Sequence, residues 1–149
     1  MDQILPGLFV GGLRAANDSR LMAGNQIEAV VSVLTTEMSN ARSINVSRKL
    51  QIPLDDLPNA PLDQYYGQAI PIHPRESNRE TDPDLKLEKA HEFVRKRRFF
   101  ANPNFGFRKQ LEVFYASKTR EEYRKALKND FGDRHKELQK QDAQHIKSS

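Results

Sequence analysis

The chain has 149 residues, 37% hydrophobic and 30% charged, which fits one soluble domain with a modest core. Its 24 Lys and Arg against 20 Asp and Glu give a formal net charge of +4, a mild bias toward acidic partners that does not demand nucleic acid. Cysteine is absent, which excludes disulfides, thiolate metal ligands and a cysteine nucleophile.

The opening Met1-Asp2-Gln3-Ile4 has no basic start leading into a long apolar run, and no stretch approaches the ~20 apolar residues of a membrane span. Neither secretion nor membrane insertion is expected. Asp2 stands where N-myristoylation needs glycine, so a cytoplasmic or nuclear address is the expectation. In chain order, Leu8-Phe9-Val10 before Gly11-Gly12 reads as a first strand, and Ala29-Val30-Val31-Ser32-Val33-Leu34 after Gly24-Asn25 as a second. A helix from Ala15 to Ala23, capped by Asn17 or Asp18, lies between them. Strand, helix, strand order predicts a parallel pair. A third strand is expected at Leu50-Gln51-Ile52-Pro53-Leu54, its proline placing it near an end or edge, and it runs into Asp55-Asp56.

After Pro61, Leu62, Tyr65, Tyr66, Ala69 and Ile70 have helical spacing that Pro71 and Pro74 stop. Residues 72–84 are polar and proline-punctuated, the composition of an exposed loop. Leu85, Leu87, Ala90, Phe93 and Val94 then form one helical face, ending in the basic run Arg95-Lys96-Arg97-Arg98, which suits a helix C-terminus. Asn102-Pro103-Asn104 is a helix-start signal followed by Phe107, Leu111, Phe114 and Tyr115, predicting helix from Asn104 to Ser117. A further helix from Thr119 to Asn129 is expected, with Thr119 and Glu122 as a capping box and Phe131-Gly132 closing it. Residues 133–149 read as a polar tail, frayed helix or disordered, which places the domain at 1–132.

Four stretches carry a family likeness. The opening Ile4-Leu5-Pro6-Gly7-Leu8-Phe9-Val10-Gly11, the strand with Val30-Val31-Ser32-Val33, the segment Ile52-Pro53-Leu54-Asp55-Asp56-Leu57-Pro58 and the block from Arg97 to Leu111 with Ala101-Asn102-Pro103-Asn104 resemble the small atypical dual-specificity protein phosphatases. The likeness runs from Ile4 to Gly132. It is nearest the subgroup that typically carries a myristoylated glycine, which this chain lacks. The resemblance implies an α/β domain that removes phosphate from phosphotyrosine and phosphoserine or phosphothreonine in proteins. It also implies phosphoprotein substrates or signalling partners and no cofactor. That chemistry uses a thiolate in a His-Cys-x5-Arg loop whose backbone amides and arginine cradle the phosphate.

The signature loop is missing here, together with the strand before it and the helix after it. His73-Pro74-Arg75-Glu76-Ser77-Asn78-Arg79 offers a histidine and a later arginine, but it lacks the cysteine, the glycine and the spacing, and it reads as loop. Gln68-Ala69-Ile70-Pro71-Ile72-His73 resembles the end of the helix preceding the catalytic strand, and Asp84 to Arg98 resembles a helix two elements further on. An internal deletion is the simplest account. By the resemblance, Asp56 takes the general-acid position, with Asp55 beside it; read from the residues alone, Asp56 is a turn residue before Pro58.

The expected architecture is therefore a truncated phosphatase-like sheet with flanking helices, missing its central catalytic strand and the helix behind it. That strand would contribute pairing on two sides and several buried side chains at ~1.5–3 kcal/mol each, so a weakened sheet is expected. The run Arg95 to Arg98, near Phe99, Phe100, Arg108 and Lys109, admits reading as a nucleic-acid surface. Phe99, Phe100, Phe105 and Phe107 are instead expected in the core, so no nucleic-acid partner is expected. The histidines at 73, 91, 135 and 145 show no metal spacing, and no metal is expected. The expected function is that of a family member without catalysis. The alternatives are a pseudophosphatase acting as a binding module, and a basic protein working through Arg95 to Arg98 on nucleic acid or acidic lipids.

Overall fold

The computed structural model describes residues 1–35, 46–69 and 87–148. It is an α/β arrangement in which two small sheets pack among helices. Strands β1 (Asp2–Leu5) and β2 (Leu8–Val10) form an antiparallel hairpin, with Asp2 opposite Val10 and Leu5 opposite Leu8. Pro6-Gly7 makes the turn: proline presets one φ, and Gly7 takes φ +77°, a left-handed value that a side chain would strain. Strands β3 (Ala29–Val33) and β4 (Arg48–Ile52) are parallel, from Ala29 beside Arg48 to Val33 beside Ile52.

The expected parallel pairing of Leu8–Val10 with Ala29–Leu34 is not formed. Leu8–Val10 turns back on Asp2–Leu5 because the two-residue Pro-Gly connection closes a hairpin at little entropic cost. The helix expected from Ala15 to Ala23 is two pieces, α1 (Leu13–Ala16) and α2 (Ser19–Gly24). Asp18 divides them: its carboxylate accepts from the backbone N–H groups of Arg20 and Leu21, which starts a new helix rather than continuing the old one. Among the described residues no strand joins β2 to β3, so the sheets remain separate pairs.

The chain leaves β4 at Pro53 and reaches a 3-10 turn at Leu62–Tyr65 that runs into α3 (Tyr66–Ala69). The segment 72–84, with His73 to Arg79, lies outside the described residues. Helix α4 (Leu87–Arg97) docks on β1, where Ile4 and Ala90 are buried and Arg98 meets Asp2 at 2.6 Å. Helix α5 (Phe105–Tyr115) is capped by Asn104, whose Oδ1 accepts from the Phe107 N–H at 2.9 Å.

Helix α6 (Lys118–Lys147) has its cap two residues before the expected capping box. Ser117, not Thr119, is the cap, its hydroxyl accepting from the Arg120 N–H at 3.2 Å. Gly132 takes φ 45°, ψ −119°, leaves helical geometry and closes the first helical stretch as expected, and a second stretch runs on to Lys147. Within the polar segment expected to be frayed helix or disordered, residues 133–147 are helical.

The core gathers where β4 meets the helices: Ile52, Leu54 and Ala60 are buried, with Leu50, Leu62, Tyr65, Ala69 and Phe107 packed around them. A second apolar contact ties α3, α5 and α6 through Tyr66, Phe114 and Tyr123, whose rings follow one another at 4.2 Å and 6.3 Å. Of the four phenylalanines expected in the core only Phe107 is there. Phe99, Phe100 and Phe105 are 72%, 86% and 73% exposed, because the turn after α4 and the first residue of α5 point them away from the packed faces.

Candidate functional site

The Asp55-Asp56 loop is built between two buried anchors. Pro53 cannot donate to a strand ladder and ends β4; Leu54 is buried next to Ile52, and the chain returns to the interior at Ala60. Between them Asp55, Asp56 and Leu57 stand exposed. Such a loop needs a support, and α5 supplies it along one face.

Three residues of that block hold the loop. Asn104 divides its amide between two tasks: Oδ1 caps α5, and Nδ2 donates to Asp56 Oδ1 at 2.8 Å. Gly106 lies directly under Pro58, where a Cβ would fall inside the carbonyl group and 2.6 Å from the Pro58 Cα. Gln110 bridges the far end, its Nε2 donating to the Ala60 carbonyl at 2.9 Å and its Oε1 accepting from the Asp63 N–H at 3.1 Å. Phe107, between them, faces the core cluster. The result is a solvent-facing carboxylate on a loop fixed at Asp56, Pro58 and Ala60.

A fixed, exposed carboxyl can hand a proton to a leaving group. Hydrolysis through a cysteinyl-phosphate intermediate needs a thiolate, and the chain has no cysteine. Asp55 has no side-chain bond of its own among the described residues. The basic run is elsewhere: Arg97 lies over the Phe93 ring at 3.6 Å and Arg98 pairs with Asp2. Neither aspartate of the loop is paired with these cations among the described residues. His91 is half-buried, its Nε2 3.2 Å from the Ala101 carbonyl, a structural bond between α4 and the following turn. No group of His, Asp and Glu suited to a metal occurs among the described residues.

A helix start at Asn102-Pro103-Asn104 was legible, although helix was expected from Asn104 itself, which is the cap; the hold of Asn104 on Asp56 was not. Gly106 and Gln110 fall within the Arg97 to Leu111 block of family likeness, yet no spacing rule marks them. Their role exists only because α5 runs beside the loop.

No family model matches the sequence. The chain is 28% identical over 156 aligned positions to dual specificity protein phosphatase 22 of Mus musculus, covering 89% of this chain and 83% of that protein. It is 30% identical to dual specificity protein phosphatase 22 of Xenopus laevis, covering 89% and 73% respectively. A crystal structure of DUSP15 superimposes with a TM-score of 0.71 at 24% identity, spanning 87% of this chain and 96% of that one. In the mouse alignment, 89% of 149 residues is about 133, so of 156 positions about 23 have no counterpart in this chain.

Proposed function

The chain belongs to the dual-specificity protein phosphatase family, and from that premise we propose that it is a non-catalytic member, a binding module that engages signalling proteins through its surface. The carrying observation is the absence of cysteine from all 149 residues. Without cysteine the family's thiolate route is closed, and proton donation from Asp56 without that nucleophile leaves the phosphoester intact. In this reading Asp56 keeps the general-acid position and serves to shape the loop.

An internal deletion accounts for the missing machinery. About 23 aligned positions without a counterpart (156 against 89% of 149) are enough for a strand and its loop, and the reading places them between Gln68-His73 and Asp84. Peptide mass spectrometry across residues 70–86 tests this, since a junction peptide is expected from cells that make the chain.

The activity test uses purified protein with p-nitrophenyl phosphate and with phosphotyrosine and phosphothreonine peptides. Release of phosphate is expected at the protein-free blank. Turnover above the blank that tracks the protein through purification would overturn the non-catalytic reading.

A further inference from the structure

The turn after α4 carries two phenyl rings into solvent. The Ala101 N–H donates to the Arg98 carbonyl at 3.0 Å, so Phe99 and Phe100 are the two central residues of the turn. They are 72% and 86% exposed and meet edge to face, centroids 5.6 Å apart. The Arg95 guanidinium sits 5.7 Å from the Phe99 ring centre. Arg95 and Lys96 are both exposed, and neither is paired with a carboxylate among the described residues. Arg98, by contrast, is engaged by Asp2 and ties the base of the turn to β1.

We propose that this turn is a membrane-contact site, in which Phe99 and Phe100 enter the headgroup boundary of an anionic bilayer while Arg95 and Lys96 meet its acidic headgroups. The rings project from a turn tip and are mostly exposed, so they suit a broad, deformable surface. Phenyl rings with flanking cations combine apolar burial with attraction to anionic lipid, the two contributions that hold interfacial segments. Single-stranded nucleic acid fits less well, because base stacking uses spaced, accessible ring faces along a basic channel. Here the two rings are adjacent and near-perpendicular at 80°, so they do not form successive stacking platforms. Contact through two rings and two cations is weak and reversible. It requires neither a spanning helix nor catalysis, and so does not depend on the functional reading above.

The chain has no tryptophan, so Phe100→Trp creates a single fluorescent reporter in the full-length protein. With phosphatidylserine-rich vesicles its emission is expected to shift to the blue, with no shift for pure phosphatidylcholine and none for Val113→Trp, a control at another exposed position. Vesicle sedimentation of the wild-type chain gives the companion reading. Phe100→Ala is expected to lower the partition coefficient about tenfold, and Arg95→Gln or Lys96→Gln about fivefold each, with binding weakened by salt. These residues are exposed, and unchanged melting curves would verify that the variants fold. An absent shift, an equal shift at Val113→Trp, or sedimentation indifferent to lipid charge and to both sets of substitutions would overturn the proposal. Salt-sensitive binding of an oligonucleotide without any vesicle binding would do so as well.

Discussion

Replacing Gly106 by alanine sets two physical effects against each other, and the structure decides the sign. Gly106 is the second residue of α5 after the Asn104 cap. In a helix, Gly→Ala alone stabilises by up to about 1 kcal/mol. The added methyl, however, would fall inside the Pro58 carbonyl and 2.6 Å from its Cα, where carbon atoms need about 3.5–4.0 Å. The neighbour is backbone and cannot rotate away. Loop and helix must therefore separate, straining the Asn104–Asp56 bond of 2.8 Å and the Gln110–Ala60 bond of 2.9 Å. Overpacking costs about 1–3 kcal/mol, and each hydrogen bond weakened adds about 0.5–1.5 kcal/mol. With the helix gain subtracted, a net loss of about 1–5 kcal/mol is expected, which at about 2–4 °C per kcal/mol lowers Tm by roughly 2–20 °C. Urea titration followed by circular dichroism measures it, as a fall in midpoint at constant m. An unchanged or raised midpoint would show that α5 does not press on Pro58, and the account of the loop's support would fail.

Other variants probe single contacts. Asn104→Ala removes both the cap and the donor to Asp56 and is expected to cost about 1–2 kcal/mol in the same titration. Asn104→Asp keeps the cap but puts a carboxylate against Asp56; helix content should hold while hydrogen exchange at residues 55–58 speeds up, and unchanged exchange there would refute the anchoring role. Asp2→Asn weakens the pair with Arg98, whose side chains are 40% and 27% exposed. A loss of no more than about 1 kcal/mol is expected, shrinking at high salt, and a larger loss would mean that the contact is more enclosed than its exposure indicates.

The local features of this fold were open to reading because each has a local cause. Asn104 before an apolar helical stripe, the Asp18 carboxylate two and three residues ahead of free N–H groups, and the β-branched run at Ala29–Val33 form their elements wherever the chain travels. Cysteine-free composition excluded thiolate chemistry on its own, and four stretches pointed to the phosphatase family. Local rules erred where two caps competed within a turn of helix, Ser117 against Thr119; Gly132 does break the helix, but a second helical stretch follows it.

Other features depended on which surfaces meet. Strand pairing is a contest between partners, and the short Pro6-Gly7 connection won Leu8–Val10 for β1. Whether a phenylalanine is buried depends on what packs over it: Phe107 faces the core, while Phe99 and Phe100 sit at a turn that nothing covers among the described residues. The hold of Asn104, Gly106 and Gln110 on the Asp56 loop is the clearest case. Residues about 50 positions apart are brought together there, and no periodicity along one segment can encode a contact whose other half lies on a different element.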